Sequence, residues 1–149
     1  MIRDQRPLFP TTSLERVLDG TSVATWCELL NRRVFFFAGE DRLRRLLGAY
    51  TTTEHDVLVV DARALADRYE TSIELTALNT GALAPAYAKR GSGTFVPIAA
   101  FAAGPTGAPA KPVAEITVLD RVLDVAELTL KVERWRGAVR VGVVWDRRG

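Results

Sequence analysis

Apolar and polar positions alternate with a period of two in several short runs, most clearly near the C-terminal end of the chain. Residues 113–118, 129–135 and 138–145 each carry this alternation, which predicts β-strands. The last two runs predict a hairpin with Arg136-Gly137 as its two-residue turn, because glycine readily adopts a positive φ. Two further runs, RVFFF at 33–37 and DVLVVD at 56–61, are typical of buried strands.

Apolar residues at helical spacing occupy the stretches between these runs. Thr21 or Ser22 is predicted to cap a helix that buries Trp26 and Cys27 on one face. Further helices are predicted over residues 40–50 and over residues 62–69, the latter capped by Asp61. Short helices combined with strands predict an α+β fold, in which a mixed, mainly antiparallel sheet carries several short helices.

Length and local composition predict how the chain is organised into domains. With 149 residues, the chain is expected to form a single domain over 1–149. The stretch 78–112 is rich in glycine and proline and has no sustained periodicity, so we expect a long functional or mobile loop there. Within it, residues 99–110 form an Ala/Gly/Pro-rich segment that predicts a flexible surface loop.

Charge and cysteine content argue against several classes of protein, including nucleic-acid-binding and disulfide-bonded ones. The 17 arginines and three lysines are scattered and give a net charge of only +2, which is a weak basis for a nucleic-acid-binding patch. The single cysteine, Cys27, excludes an internal disulfide, and its helical context predicts a buried thiol in a reducing cytoplasm. No apolar run is long enough for a transmembrane helix, so we expect no membrane association. With one histidine and one cysteine, we expect no metal site.

Glu115 is the candidate for chemistry because it interrupts an apolar strand, where glutamate is disfavoured. One interpretation places it on an edge strand or a solvated face. The other aims its carboxylate into a cleft, where it binds a ribose hydroxyl or acts as a base. His55 lies between two acidic residues and is typical of an exposed loop, so we expect no Ser/His/Asp triad. The loop Asn79-Thr80-Gly81 predicts a turn, whose amides could alternatively line a ligand cleft.

Six segments carry a family resemblance, and they follow one another in the order IRDQRPL, LLNRRVFFF, HDVLVVDARAL, LNTGA, RGSGTFVPI and VAEITV. Together they cover nearly all of the chain and resemble the later two-thirds of an uncharacterised bacterial domain family. Fuller members of that family begin with a segment of the form LYHxT…SIxxHGL. This opening is similar to that of DarT-type enzymes, which transfer ADP-ribose from NAD to DNA.

The resemblance implies an ADP-ribosyltransferase-like fold and a toxin-related activity with NAD as substrate and no metal. In DarT-type enzymes a glutamate in a strand of the form AEhLV is catalytic, and the match to VAEITV makes Glu115 its counterpart. Arg3 or Arg6, in RDQRP, is the counterpart of an arginine near the nicotinamide. Asn79 is expected to line the same NAD-binding cleft. A nucleic acid or a protein would be the acceptor of ADP-ribose.

The early His-containing segment of the family has no counterpart in this sequence, which begins later. We therefore expect one of three cases: the start of the chain is placed too late, the chain is an N-terminally truncated relative, or it is a non-catalytic derivative. In each case we expect a domain that binds NAD weakly. Such a domain is predicted to present an open sheet edge or an apolar patch, at residues 34–37 or in the DVLVVD strand, that favours a homodimer. The alternative function is a non-enzymatic interaction or ligand-sensing module. A small nucleic-acid-binding protein is a third interpretation, which the scattered arginines support poorly.

Overall fold

The computed structural model describes residues 11–81, 88–101 and 111–149, and it confirms the predicted α+β class. The α-helices of this part of the chain are Thr11–Glu15 (α1), Val23–Asn31 (α2), Glu40–Gly48 (α3), Ala62–Arg68 (α4) and Val125–Leu128 (α5). Its strands are Arg33–Phe37 (β1), Glu54–Val60 (β2), Ile73–Thr76 (β3), Val96–Pro97 (β4), Glu115–Leu119 (β5), Thr129–Arg136 (β6) and Val139–Asp146 (β7). None of these helices is long and apolar enough to cross a membrane.

The strands form two antiparallel sheets, whereas the sequence predicted one mixed sheet. The four-stranded sheet has the order β1-β5-β3-β4, and the three-stranded sheet has the order β2-β6-β7. Pairing of β2 with β6 places Glu54 opposite Arg136 and Asp56 opposite Arg134, and both pairs form ion pairs at 2.6 to 3.1 Å. Oppositely charged cross-strand pairs favour this register.

The helix starts agree with the capping signals in the sequence. The side chain of Ser22 accepts a hydrogen bond from the amide of Thr25, and that of Asp61 accepts from the amides of Arg63 and Ala64. Each bond satisfies an amide that has no partner within its helix. These local predictions are confirmed.

The predicted hairpin of β6 and β7 is confirmed, but its turn lies one residue later than predicted. Arg136 still belongs to the ladder and pairs with Val139, so the turn residues are Gly137 and Ala138. Gly137 has a φ of +52° and Ala138 does not have a positive φ. Glycine at the first turn position is the arrangement that a type II′ turn requires, which explains the shift.

The four-stranded sheet is covered on both faces. On one face, Leu65 of α4 and Leu128 of α5 pack with Ile73 and Val118 in a buried cluster. On the other, Trp26 stacks on Phe95 with ring centroids 5.9 Å apart. Because both faces are covered, β5 contains buried residues on each face.

Two predictions about buried strands are wrong, because both strands lie at the outside of a sheet. In β1, Phe35 and Phe37 are each 37% exposed. The DVLVVD strand begins earlier, at Glu54, and alternates between exposed and partly buried residues, with Leu58 47% exposed. Each of these strands pairs with one neighbour among the described residues. These exposed side chains lie in the two strands where the sequence predicted an apolar patch.

Two side chains also differ from their predicted environments. Cys27 is exposed, because the short helix α2 turns Trp26 into the core. His55 lies within β2 rather than in a loop, and its partly buried ring meets that of Tyr50 edge-on at 5.4 Å. At the start of the predicted flexible loop 99–110, residues 98–100 form a 3₁₀ turn that begins one residue before it, and residues 102–110 lie outside the described part of the chain.

Candidate functional site: a buried carboxylate on an interior strand

Glu115 opens the interior strand β5 and is only 4% exposed. It pairs with Phe37 of β1 on one side and with Thr76 of β3 on the other. The edge-strand and solvated-face interpretations of this residue are therefore wrong. Both interpretations rested on the residues next to Glu115 in the sequence. Its burial arises instead because two strands that are distant in sequence pair on either side of it.

The carboxylate is held by Thr80 in the loop that follows β3. The Thr80 amide donates to both carboxylate oxygens, at 3.2 and 3.3 Å, and its hydroxyl lies 2.8 Å from Oε2. The loop turns as predicted, because the Asn79 side chain accepts from the amide of Gly81 at 3.1 Å. Since an ionised carboxylate offers about four acceptor positions, Glu115 retains capacity for a further donor.

Burial dominates the electrostatics of this carboxylate. Desolvation raises the pKa of Glu115, and the two hydrogen bonds from Thr80 and the charges of Arg42 and Arg90 oppose part of that rise. Arg90 is itself only 3% exposed, and desolvation lowers its pKa while the charge of Glu115 acts in the opposite direction. The site thus holds a carboxylate that is costly to ionise next to two guanidinium groups, a pattern enriched at functional sites.

A cavity of about 570 Å³, which we call the loop cavity, lies on the far side of the strand partner of Glu115, and Glu115 itself does not line it. Thr76 and Arg90 line it, and Thr76 is the strand partner of Glu115. Lys89 and Lys111 also line the cavity, and Asp19 is the acidic residue among its described lining residues. This lining has an excess of positive charge, which suits an anionic ligand, and the volume falls in the range of small-molecule sites.

Main-chain contacts fix Arg90 at the edge of this cavity. The Asp19 amide donates to the carbonyl of Arg90 at 2.7 Å, and the Arg90 amide donates to the carbonyl of Val17 at 2.8 Å. A Cβ atom on Gly91 would lie 2.3 Å from the carbonyl oxygen of Asp19, so this approach requires glycine. The RGSGTF loop therefore holds Arg90 in place at the cavity.

The structure brings together some of the residues predicted for the site, and others lie outside its described part. Glu115 and the loop containing Asn79 are brought together, but the contact to the carboxylate comes from Thr80. The main-chain carbonyl of Asn79 accepts from Arg90 Nη2 at 3.3 Å, which joins the loop to the arginine. Arg3 and Arg6 lie outside the described residues. Their assignment to the site stays a prediction.

Two cationic members of the site, Arg42 and Arg90, were not predicted from the sequence. Arg42 lies in α3, where it is partly buried and its charge acts on Glu115. Its placement follows from the pairing of Phe37 with Glu115, because α3 begins shortly after β1 ends. No local pattern in the sequence indicates that pairing. Within residues 11–81, 88–101 and 111–149, no three His, Cys, Asp or Glu side chains converge in a way that could hold a metal ion.

The chain thus folds into a two-sheet α+β domain that holds a buried carboxylate on Thr80 close to a cationic cavity. The chain belongs to the family of unknown function DUF7002, whose model matches residues 1–129. The matched region includes Glu115, Thr80, Arg42 and Arg90 and ends as β6 begins. No curated protein and no solved structure matches the sequence.

Proposed function

We propose that this chain is a bacterial, cytoplasmic ADP-ribosyltransferase-like domain that takes NAD as its substrate, with Glu115 as the catalytic carboxylate. The observation that carries the proposal is a carboxylate buried on an interior strand close to a cationic cavity. Burying an ionisable group lowers stability unless it is compensated, so its presence in a core strand favours a functional role. The resemblance of VAEITV to the catalytic strand of DarT-type enzymes supports the same assignment.

The chemistry required of this site is modest and fits its residues. The bond between the ribose C1′ and nicotinamide breaks, and its electron pair leaves with nicotinamide. The carboxylate of Glu115 accepts a hydrogen bond from a ribose hydroxyl and stabilises the positive charge that develops on the sugar. A nucleophile of a nucleic acid or a protein then bonds to C1′ and loses its proton to Glu115 or to water. Arg42 and Arg90 provide positive charge for the pyrophosphate.

Catalysis of this kind is tested by mixing the purified protein with NAD and either single-stranded DNA or a protein mixture. Release of nicotinamide and mass addition to the acceptor are followed by chromatography and mass spectrometry. Glu115→Gln preserves size and keeps one oxygen that can accept from Thr80, and we expect it to lower turnover by about 100-fold or more, a loss on the scale of removing one electrostatic contact to the transition state. Glu70→Gln, an exposed residue just beyond α4, is the matched control and should retain full turnover.

A non-enzymatic ligand-sensing module is the second candidate, and one observation favours it. Both oxygens of Glu115 already accept hydrogen bonds from Thr80, and the side chain is nearly inaccessible. In this case calorimetry would detect NAD binding with no release of nicotinamide, and Glu115→Gln would leave the Kd unchanged. Absence of NAD binding at millimolar concentration would reject the NAD proposal, whichever role Glu115 has.

A further inference from the structure

A second cavity, the inter-sheet cleft, has a volume of about 500 Å³ and lies between β1 and β2, at the outer edges of the two sheets. Residues 35–39 line it without a break, as do residues 57–60. Side chains alternate along a strand, so an unbroken run of lining residues means that the cleft follows the open edges of both strands. Ile116 lines the cleft, whereas the adjacent Glu115 points to the other face of its sheet, so the cleft is separate from the loop cavity.

The walls of the inter-sheet cleft are mainly apolar and aromatic. Phe36 and Ile116 come from the four-stranded sheet, and Val57, Val59 and Trp135 come from the three-stranded sheet. An apolar cavity of this volume with a few convergent polar groups is the usual form of a small-molecule site. Aromatic side chains on opposite walls favour a flat, aromatic ligand, because offset-stacked and edge-to-face contacts stabilise such a ligand beyond simple area burial.

A group of three charged side chains also lines the inter-sheet cleft. The side chain of Glu133 is 6% exposed, and its Oε1 lies 2.6 Å from Lys131 Nζ and accepts from Arg140 Nη1 at 2.9 Å. The indole Nε1 of Trp135 donates to Oε2 at 3.1 Å. Burial raises the pKa of Glu133, but these three donors outweigh that effect and the pKa is lowered overall. The carboxylate therefore stays ionised and orients both cations.

Two cations on one carboxylate leave a single positive charge in excess. Lys131 and Arg140 each use one donor on Glu133, and their remaining donors have access to solvent because the side chains are 32% and 51% exposed. Glu40, the other carboxylate of the lining, accepts from Arg44 Nε at 2.7 Å and so does not offset that charge. The polar part of the cleft is thus complementary to one anionic group.

We propose that the inter-sheet cleft binds an aromatic monoanion, with its ring system between the two sheets and its anionic group on Lys131 and Arg140. The geometry supports each half of this assignment separately. The apolar walls account for the ring system, and the excess cation accounts for the charge. The site is independent of the proposed NAD chemistry, because it lies on the opposite face of the four-stranded sheet.

Two fluorescent probes that share one ring system provide the test. Anilinonaphthalenesulfonate carries a single negative charge, and phenylnaphthylamine is its neutral counterpart. We expect saturable binding of one sulfonate probe per chain, with the neutral probe binding more weakly. Arg140→Gln should weaken the sulfonate about tenfold, on the scale of a charged hydrogen bond, and leave the neutral probe unchanged. Arg136→Gln removes an arginine that pairs with Glu54 outside the cleft and should change neither.

Val57→Phe is the second variant, since its larger side chain fills the cleft without removing a charge. We expect it to abolish binding of both probes, while near-ultraviolet circular dichroism confirms that the variant is folded. Equal affinity for the two probes would overturn the anionic half of the proposal. Sulfonate binding that survives Val57→Phe would place the probe elsewhere and overturn the site. Displacement of the sulfonate by NAD would show that the cleft is the NAD site and overturn its independence from the loop cavity.

Discussion

The strands β5 and β7 carry similar alternating sequences yet lie in opposite environments. Within β5, Glu115, Thr117 and Val118 are buried, whereas every residue of the eight-residue strand β7 is exposed. The difference arises from position, because β5 has a strand on each side and cover on both faces, while β7 pairs with β6 alone in the part of the chain that the structure describes. A period of two predicts a strand, but it does not indicate how many neighbours the strand has.

The sheets that contain β5 and β7 also differ in where they hold the charged side chains discussed here. The four-stranded sheet buries a carboxylate and holds it beside two arginines, where removal from water increases the strength of electrostatic interactions. The three-stranded sheet exposes five apolar residues of β7 and carries its ion pairs Asp56–Arg134 and Glu54–Arg136 in solvent. Exposed ion pairs contribute little to stability. We therefore place the stability core and the candidate catalytic site in the same sheet.

The largest expected difference concerns two tryptophans, one from each region. Trp26→Ala removes a 1% exposed ring stacked on Phe95 and should lower the free energy of unfolding by about 3–5 kcal/mol. Trp145→Ala acts on a ring that is 45% exposed in β7 and should cost less than about 1 kcal/mol. Urea denaturation at equilibrium measures both. Similar costs would show that β7 is covered in solution and would remove the contrast between the sheets.

Two glycines, one near the loop cavity and one in the β6–β7 turn, should also differ in how much their substitution lowers stability. Gly91→Ala places a Cβ atom 2.3 Å from the Asp19 carbonyl oxygen, and the resulting separation of the two segments should cost about 1–3 kcal/mol. Gly137→Ala acts through its φ of +52° in the hairpin turn and should cost about 1 kcal/mol. Denaturant midpoints give both values. Gly91→Ala should also disturb Arg90 and weaken NAD binding, whereas Gly137→Ala should leave NAD binding intact.

Glu115 is expected to make stability depend on pH. Burial raises the pKa of its carboxyl above the ordinary value near 4.5, so the folded state holds this proton more firmly than the unfolded state does. The stabilising contribution is complete below the unfolded pKa and is lost as pH rises through the folded pKa. Glu115→Gln should thus gain stability relative to the wild type between pH 4 and pH 7, and each 1 kcal/mol corresponds to about 2–4 °C in Tm.

Thermal melts across this pH range test the sign of the effect. The exposed Glu70→Gln variant should follow the wild-type profile at every pH. A Glu115→Gln variant that lost stability relative to wild type as pH rose would mean that its carboxylate is stabilised in the charged form. The contrast with the paired carboxylate Glu133, whose pKa is lowered, would then disappear.

The smallest effect concerns self-association of the exposed strand. We predict a weak homodimer through β7, because its apolar edge contains neither proline nor lysine, two residues that discourage strand pairing. Bulges at Val141 and Val144 interrupt the ladder and should limit the Kd to about 0.1–1 mM. Val143→Lys should abolish the dimer in sedimentation velocity, and Phe35→Lys in β1 should not. The reverse result would place the interface at the aromatic edge strand.

Local features of the sequence determined much of the secondary structure. Ser22 and Asp61 cap their helices as predicted, and the hairpin of β6 and β7 forms within one residue of its predicted turn. These features involve residues a few positions apart, so propensity and side-chain hydrogen bonding suffice to define them. The α+β class follows from the same local signals.

The position of each strand and the surroundings of Glu115 depend on pairing between segments that are distant in the chain. Pairing of β5 with β1 and β3 joins segments that are about 40 to 80 residues apart in the chain. This pairing buries the Glu115 carboxylate, for which the sequence allowed both an exposed and a cleft-facing position. The same pairing brings Thr80, Arg42 and Arg90 to the site. The sequence determined that Glu115 is an unusual strand residue. Its burial, partners and raised pKa depend on long-range packing, which no local pattern encodes.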